Sequence, residues 1–340
     1  MGEYLTPEIY PLSVFLMKKK IAIVAGGDSS EHEVSLRSAA GILSFMDAER
    51  YDCHIVAQRG QDLHVLDGEK QYPIDLRDFS YEVDGQRHQF DFAYITIHGT
   101  PGENGILQGY FDLIGLPYST SGVLVEALTF NKFALNNYLR SLPGIHVSDS
   151  LMVRRGENLP SPAEIVERVG LPCFIKPNAG GSSFGVSKVK TLDDVMPAIH
   201  KAMNESDEVM IERQLVGTEI TCGCFRRSNG EIVCFPITEV ALKGGEFFDY
   251  DAKYEGKSDE ITPARIAEST ADRVRETTQY VYRQLGCYGI IRIDYILSGE
   301  RGQEQINLLE INTTPGMTPA SFIPQQVRAS EFEIADVLSE

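Results

Sequence analysis

Apolar and polar residues alternate along the chain with two different periods, and the changeovers mark out its elements. Lys20–Ala25, apolar from Ile21 onward, is a run that stops at Gly26 and Gly27, the pattern of a buried strand. The segment DSSEHEVSLRSAAGILSFM follows, with apolar residues at helical spacing behind a polar start. CHIVAQ and DFAYITIHG read as further strands, the second ending at a loop. Strands alternating with helices predict a parallel, doubly wound sheet, whose ligands collect at the carboxyl ends of the strands. Both GGDSSEHE and HGTPGENG occupy such ends. LHVLDGEKQYPIDLRDFSYEVDGQRHQF reads as a β-rich insertion.

A second region begins near 117–122. It holds one helix, VLVEALTFNKFALNNYLRSL, then strands around SLMV and PCFIKP, the Gly-rich loop NAGGSSFGVS and a helix near 191–204. EVMIERQL opens a third region, with EITCGCFR and EIVCFPITEV as strands. The stretch 241–262 has little periodicity, and so long a loop in a compact domain is a lid or disordered. A helix over 270–285 precedes two strand-like runs, IIRIDYIL and INLLEIN. The predicted division is an irregular extension at 1–17 and regions at 18–120, 121–211 and 212–340.

The last two runs carry the chemistry. Strand side chains alternate faces, so Arg292 and Asp294 share one face and Glu310 and Asn312 share one face. A hairpin folded about Gly302 sets Asp294 opposite Glu310 and Arg292 opposite Asn312. Two half-buried carboxylates repel unless a cation sits between them. A hard cation such as Mg²⁺ takes a few protein oxygens and the rest from phosphate and water.

Composition narrows the function. At 340 residues the chain has room for two or three domains with real cores. A net charge of −18 repels nucleic acid and anionic membrane surfaces, so neither is expected as a partner. Any anionic ligand must be met by locally gathered cations and backbone N–H groups. The six cysteines lack Cys-x-x-Cys or zinc spacing and read as packed thiols of a reducing cytoplasm. In the extension, the apolar run 12–17 precedes its lysines, the reverse of a secretory signal, and is too short to span a bilayer.

Other candidates are weak singly. In FIKPNAGGSSFG a strand delivers Lys176 to a loop whose open N–H groups suit phosphate oxygens. The loop is neither a Walker A motif nor a dinucleotide fingerprint, and alone it could be a flexible hairpin. Lys176 before it and the carboxylate pair downstream favour a nucleotide. Lys132 alone is a helix lysine, and Glu212 and Glu219 are surface carboxylates or acceptors for ribose hydroxyls. Glu33 could favour a helix N-terminus. His98 could be a packed loop histidine, Ser182 a structural loop residue and Tyr254 a surface anchor.

Seven segments, in order, resemble the D-alanine–D-alanine ligase family of ATP-grasp enzymes. They are AGGDSSEHEVSLRSA, IHGTPGENGILQGYF, LPCFIKPNAGGSSFGVSKV, EVMIERQLVGTEIT, FFDYDAKY, GIIRIDY and LLEINTTPGMTPASFIP. The resemblance runs from about residue 18 to the C-terminus. It implies an α/β N-terminal Rossmann-like (preATP-grasp) domain followed by a two-lobed, α+β ATP-grasp fold. By it, Lys132, Lys176, Ser183 and Lys253 would contact ATP, Glu212 and Leu215 would border adenine, and Glu219 would bind ribose. Asp294, Glu310 and Asn312 would carry two Mg²⁺ (or Mn²⁺) ions. Glu33 would bind the ammonium of the first D-alanine beside His98, and Ser182 and Tyr254 would bond to Glu33 and close the lid. Arg292 and the Gly316 N–H would form an oxyanion hole, and Ser321 would hold the second D-alanine carboxylate.

The implied activity is ATP-dependent joining of two D-alanines through a D-alanyl phosphate, for peptidoglycan precursors, by a cytoplasmic homodimer. Alternatives are a D-lactate or D-serine acceptor, or a decayed nucleotide-binding regulatory protein. Tyr254 in FFDYDAKY resembles the dipeptide-forming type, and the metal carboxylates and Arg292 are retained. Asn131 stands where many members have Asp, and Ala320 where some have His.

Overall fold

The structure, a computed structural model, describes residues 18–181, 184–242 and 258–340. The extension at 1–17 and the centre of the stretch expected as a lid lie outside the described residues.

The first region runs β1 (Lys19–Gly26), α1 (His32–Phe45), β2 (Tyr51–Arg59), β3 (Asp62–Asp67), β4 (Lys70–Pro73), the hairpin β5 (Tyr81–Val83) and β6 (Gln86–His88), β7 (Phe92–Ile95) and α2 (Ile106–Ile114). Its sheet order is β4-β3-β2-β1-β7. Only β2, β1 and β7 are mutually parallel, as the helix-linked pattern predicts. β3 and β4 pair antiparallel because each follows its neighbour through a tight turn, too short for a crossover. β1 is buried on both sides and ends at Gly26 and Gly27, where φ is +103° and +95°. A Cβ at Gly26 would lie 2.3 Å from the Gln58 carbonyl, so the strand end closes on β2 only as glycine.

The helix expected at 123–142 is two, α3 (Val123–Phe130) and α4 (Lys132–Arg140). Asn131 breaks it with an extended backbone and caps α4 by accepting the Ala134 N–H at 2.9 Å. Both helices pack on the C-terminal sheet through Val125, Leu135 and Leu139, not on the central one. β8 (His146–Val147) also joins that sheet, beside its last strand.

The central sheet has the order β11-β10-β12-β9, from β9 (Ser150–Arg154), β10 (Cys173–Pro177), β11 (Ser187–Val189) and β12 (Glu208–Arg213). α5 (Pro162–Val169) and α6 (Val195–Met203) cover it around Ile165, Ile175 and Ile199. β12, the EVMIER segment expected to open the third region, instead pairs with β10 and β9 and completes this sheet.

The large sheet runs β16-β15-β13-β17-β18-β8, from β13 (Thr218–Arg226), β14 (Ile232–Cys234) beside it, β15 (Thr238–Leu242), β16 (Ser258–Ile261), β17 (Ile291–Ser298) and β18 (Gln305–Asn312). The expected strand EIVCFPITEV divides into β14 and β15 across Pro236, which cannot donate to a ladder. α7 (Glu268–Leu285) seals one face with Val274, Val281 and Tyr282; α8 (Phe322–Arg328) and α9 (Ile334–Ser339) close the chain against β1 and α1. All six cysteines are free. No helix among the described residues is long and apolar enough to cross a membrane.

Candidate active site

A cleft of about 880 Å³ runs between the central and large sheets and reaches the carboxyl ends of the first sheet. Its floor is the hairpin of β17 and β18. Asp294 pairs with Glu310 and Arg292 with Asn312, the register the period-two pattern predicts. A bulge follows: Tyr295 pairs with Leu308, leaving Leu309 unpaired. Tyr295, Leu308, Ile293 and Ile311 enter the core, while Leu309 and Glu310 both face the cleft.

Every polar group on this floor is engaged. Arg292 donates through Nε and Nη2 to the two Asp294 oxygens at 2.8 and 2.7 Å. Thr221 Oγ1 donates to Asp294 Oδ1 at 2.6 Å, and Asn312 Nδ2 to Oδ2 at 3.2 Å. The guanidinium carbon lies 5.2 Å from the centre of the Phe322 ring. Burial alone would lower the Arg292 pKa, but Asp294, with Glu310 and Glu219 behind it, holds it raised. The cation therefore stays charged at any working pH.

The roof comes from the central sheet. Lys176, buried on β10, donates from Nζ to Glu212 Oε1 at 2.6 Å across the β10–β12 pair. Asn178 ties the Gly-rich loop to α4: its carbonyl accepts the Lys132 N–H at 3.0 Å and its Oδ1 the Phe133 N–H at 2.8 Å. This docking starts α4 at the loop, and Lys132 Nζ donates to the Gly180 carbonyl at 2.6 Å. The loop comes close to the first region at Gly181, where a Cβ would meet the Glu31 carboxylate. Leu215 and Glu219 line the same end of the cleft.

The third wall is the first region. His98 is buried at the end of the strand-like run after β7, 3.4 Å from Ser38 Oγ through Nε2. Burial lowers its pKa, against the pull of Glu31. Glu33 is exposed in the first turn of α1 and outside the cleft lining; Glu31, two residues earlier, lines it. α1 begins at His32, so Glu31 sits on the cap facing the cleft and Glu33 one helical step round the outer face. Gly316 and Ser321 close the far end, where Ser321 Oγ accepts the Thr318 N–H at 3.1 Å as α8 begins. A Cβ on Gly316 would lie 2.9 Å from that hydroxyl. Ser182, Ser183, Lys253 and Tyr254 lie outside the described residues.

The pattern reading missed Glu31, Glu103, Leu309 and Glu260, all in the cleft lining. Glu103 accepts the Gly99 N–H at 2.6 Å, and burial, with Glu31 nearby, pushes its pKa up to about 7. Its position in HGTPGENG, after a strand end, was the available signal. Nothing local marks Glu260, which lies inside the stretch expected to be aperiodic, where the structure has β16.

Residues 20–121 match the family model of the D-ala D-ala ligase N-terminus, and 139–340 that of its C-terminus. The chain belongs to the D-alanine–D-alanine ligase family. It is 61% identical to the D-alanine–D-alanine ligase of Phocaeicola vulgatus over 95% of this chain and 98% of the relative. It is 56% identical to that of Bacteroides fragilis over the same shares. Among solved structures it superimposes on the VanG D-Ala:D-Ser ligase of Enterococcus faecalis with a TM-score of 0.83 at 30% identity, covering 95% of this chain and 98% of that one. The architecture is thus a Rossmann-like domain followed by the two lobes of an ATP-grasp ligase, with the cleft between the lobes.

Proposed function

We propose that the chain is an ATP-dependent ligase that joins two D-alanines to D-alanyl-D-alanine for peptidoglycan precursors, working in the cytoplasm. The observation that carries the site assignment is the row Arg292, Asp294, Glu310 and Asn312, Asp294 buried and the others half-buried, facing Lys132 and Lys176 across one cleft. A carboxylate is a poor electrophile and must be activated. The first D-alanine carboxylate attacks the γ-phosphorus of ATP, ADP leaves, and an acyl phosphate forms. Lys132 and Lys176 offset the charge spread over the phosphoryl oxygens, Glu212 and Leu215 border the adenine, and Glu219 takes the ribose hydroxyls.

The neutral amine of the second D-alanine attacks the acyl carbon. The tetrahedral oxyanion falls to the Arg292 guanidinium and the Gly316 N–H, and phosphate is expelled as the peptide bond closes. Glu31, in place of Glu33, holds the ammonium of the first D-alanine, beside a His98 kept neutral by burial. Ser321 takes the carboxylate of the second. Ser182 and Tyr254 completing the contact to the first substrate, and Ser183 and Lys253 contacting ATP, remain proposals from sequence.

No group of three His, Cys, Asp or Glu forms a metal cage among the described residues. The donor set on the floor still fits Mg²⁺ or Mn²⁺: two facing carboxylates plus the Asn312 amide oxygen, the rest coming from phosphate and water. Asp294, Glu310 and Asn312 would hold two such ions, which when bound neutralise phosphoryl charge. The test is release of phosphate that requires both ATP and D-alanine, with products compared for D-alanine, D-serine and D-lactate near neutral pH. Dominant D-alanyl-D-serine or ester product overturns the acceptor, and ATP turnover indifferent to D-alanine overturns the reaction.

We further propose a homodimer. Leu113 on α2 and Leu124 on α3 are 84% and 77% exposed, and Ile106 and Val123 stand exposed on the same two packed helices. An apolar surface of this kind fits a second copy, whose burial would have to outweigh the repulsion between two chains of net charge −18.

A further inference from the structure

The loop after β18 carries Asn312 into the cleft and returns with Gly316, and its two intervening threonines are held from outside the sheet. The Thr313 hydroxyl donates to Glu126 Oε2 on α3. The Thr314 hydroxyl donates to the Ile97 carbonyl at 3.4 Å, just before His98. The Met317 N–H donates to Ser38 Oγ at 3.3 Å. Glu126 is the unexpected member. It lies one turn into α3, wholly buried, and its Oε1 has no hydrogen-bond partner. Leaving a buried polar atom unpaired is costly. An apolar residue here would leave the buried Thr313 hydroxyl without its acceptor.

We propose that Glu126 is a positioning residue, which fixes through Thr313 the path of loop 312–316 and so the affinity of the site for its divalent cation. The proposal rests on the reading of Asn312 as a cation ligand. Thr313 is the next residue, so any rotation of its backbone swings the Asn312 amide. Mg²⁺ demands ligands at about 2.0–2.1 Å in near-ideal octahedral geometry, and a displacement of a fraction of an ångström is felt. The other end of the loop carries the Gly316 N–H, placed by the same tether. Burial raises the Glu126 pKa well above the carboxyl range, and neighbouring Glu103 adds to this, outweighing the Thr313 hydrogen bond. Glutamine has the same shape and the same acceptor.

The experiment is binding of Mn²⁺ to the full chain with ADP, read from the electron paramagnetic resonance of free Mn²⁺. Thermal melting checks that each variant is folded. Glu126→Ala and Thr313→Val are expected to weaken Mn²⁺ binding about tenfold, as losing a partner behind a ligand does. Glu126→Gln and Thr313→Ser are expected to bind as the native chain does. Asn312→Ala is the control for the underlying reading. If it loses Mn²⁺ while a folded Glu126→Ala binds normally, the tether is refuted and the ligand assignment stands. If Asn312→Ala binds normally, the ligand assignment falls and the tether with it. Should Glu126→Ala not fold, the volume-conserving Thr313→Val and Thr313→Ser pair decides, with equal binding in both refuting the proposal.

Discussion

Replacing Arg292 by lysine separates two uses of this side chain. It keeps the positive charge and removes the planar fork. In the structure the fork makes two charge-assisted bonds to Asp294, at 2.8 and 2.7 Å, in a site where both side chains are about nine-tenths enclosed. An ammonium at the same place can reach one Asp294 oxygen, but it cannot also hold a second N–H in the plane facing the acyl oxygen. Losing one charge-assisted hydrogen bond costs about 1.5–3 kcal/mol. That corresponds to a fall in kcat of roughly 10- to 150-fold. The ATP KM should stay near its native value, because Lys132, Lys176 and Glu212 are untouched. Coupling ADP release to NADH oxidation at saturating D-alanine measures both quantities. A lysine variant with native kcat would show that Arg292 only neutralises Asp294, and the oxyanion assignment would fail. Arg292→Met should be worse in a second way: breaking a buried pair costs about 3–5 kcal/mol of stability, a loss visible as a lowered melting temperature.

Glu31→Gln should raise the KM for the first D-alanine by at least about tenfold, the scale of one charge-assisted contact, while Glu33→Gln leaves it unchanged; initial rates across D-alanine concentrations decide, and the opposite ranking would restore Glu33. Glu103, ordinarily near 4.5 and here pushed up to about 7, keeps in the native state a proton that the unfolded chain has released. The native state then binds more protons than the unfolded one between those values, so stability falls as pH rises through that window. Melting temperatures of the native chain and Glu103→Gln should therefore diverge to the native chain's disadvantage from about pH 4.5 to about pH 7, and parallel curves would refute the shift. Leu124→Arg should convert the dimer to monomers in sedimentation at micromolar concentration; a native chain that is already monomeric there overturns the dimer.

The floor of the site was legible because two independent local rules agree on it. Period-two alternation phases Arg292 with Asp294 and Glu310 with Asn312, and a Gly-rich turn fixes how the strands face. Glu31 was not legible, since choosing it over Glu33 depends on whether α1 starts at residue 31 or 33, and helix boundaries are read only to within a few residues. The break between α3 and α4 was hidden by a continuous apolar pattern, although Asn131 is a good cap. β12 looks like any buried strand, and its place in the central sheet is set by partners more than fifty residues away in part, such as Arg154 opposite Glu208. Glu126 gave no signal at all: a glutamate in a helix reads as solvent-facing until Thr313 arrives from the other end of the chain.

The unpaired Leu309 has a consequence for how this hairpin tolerates changes in length. Without the extra residue, strict alternation would give the cleft only every second position of β18, and an apolar patch could not abut a carboxylate there. With it, an oily surface and an anionic one lie side by side, matching a ligand that is flat and apolar at one end and highly charged at the other. Trimming or lengthening the 299–304 turn should be absorbed at the tip. Deleting Leu309 alone would restore strict alternation, with Leu308 toward the core and Glu310 and Asn312 still toward the cleft, so a one-codon loss there should keep the anionic surface and remove the oily one beside it.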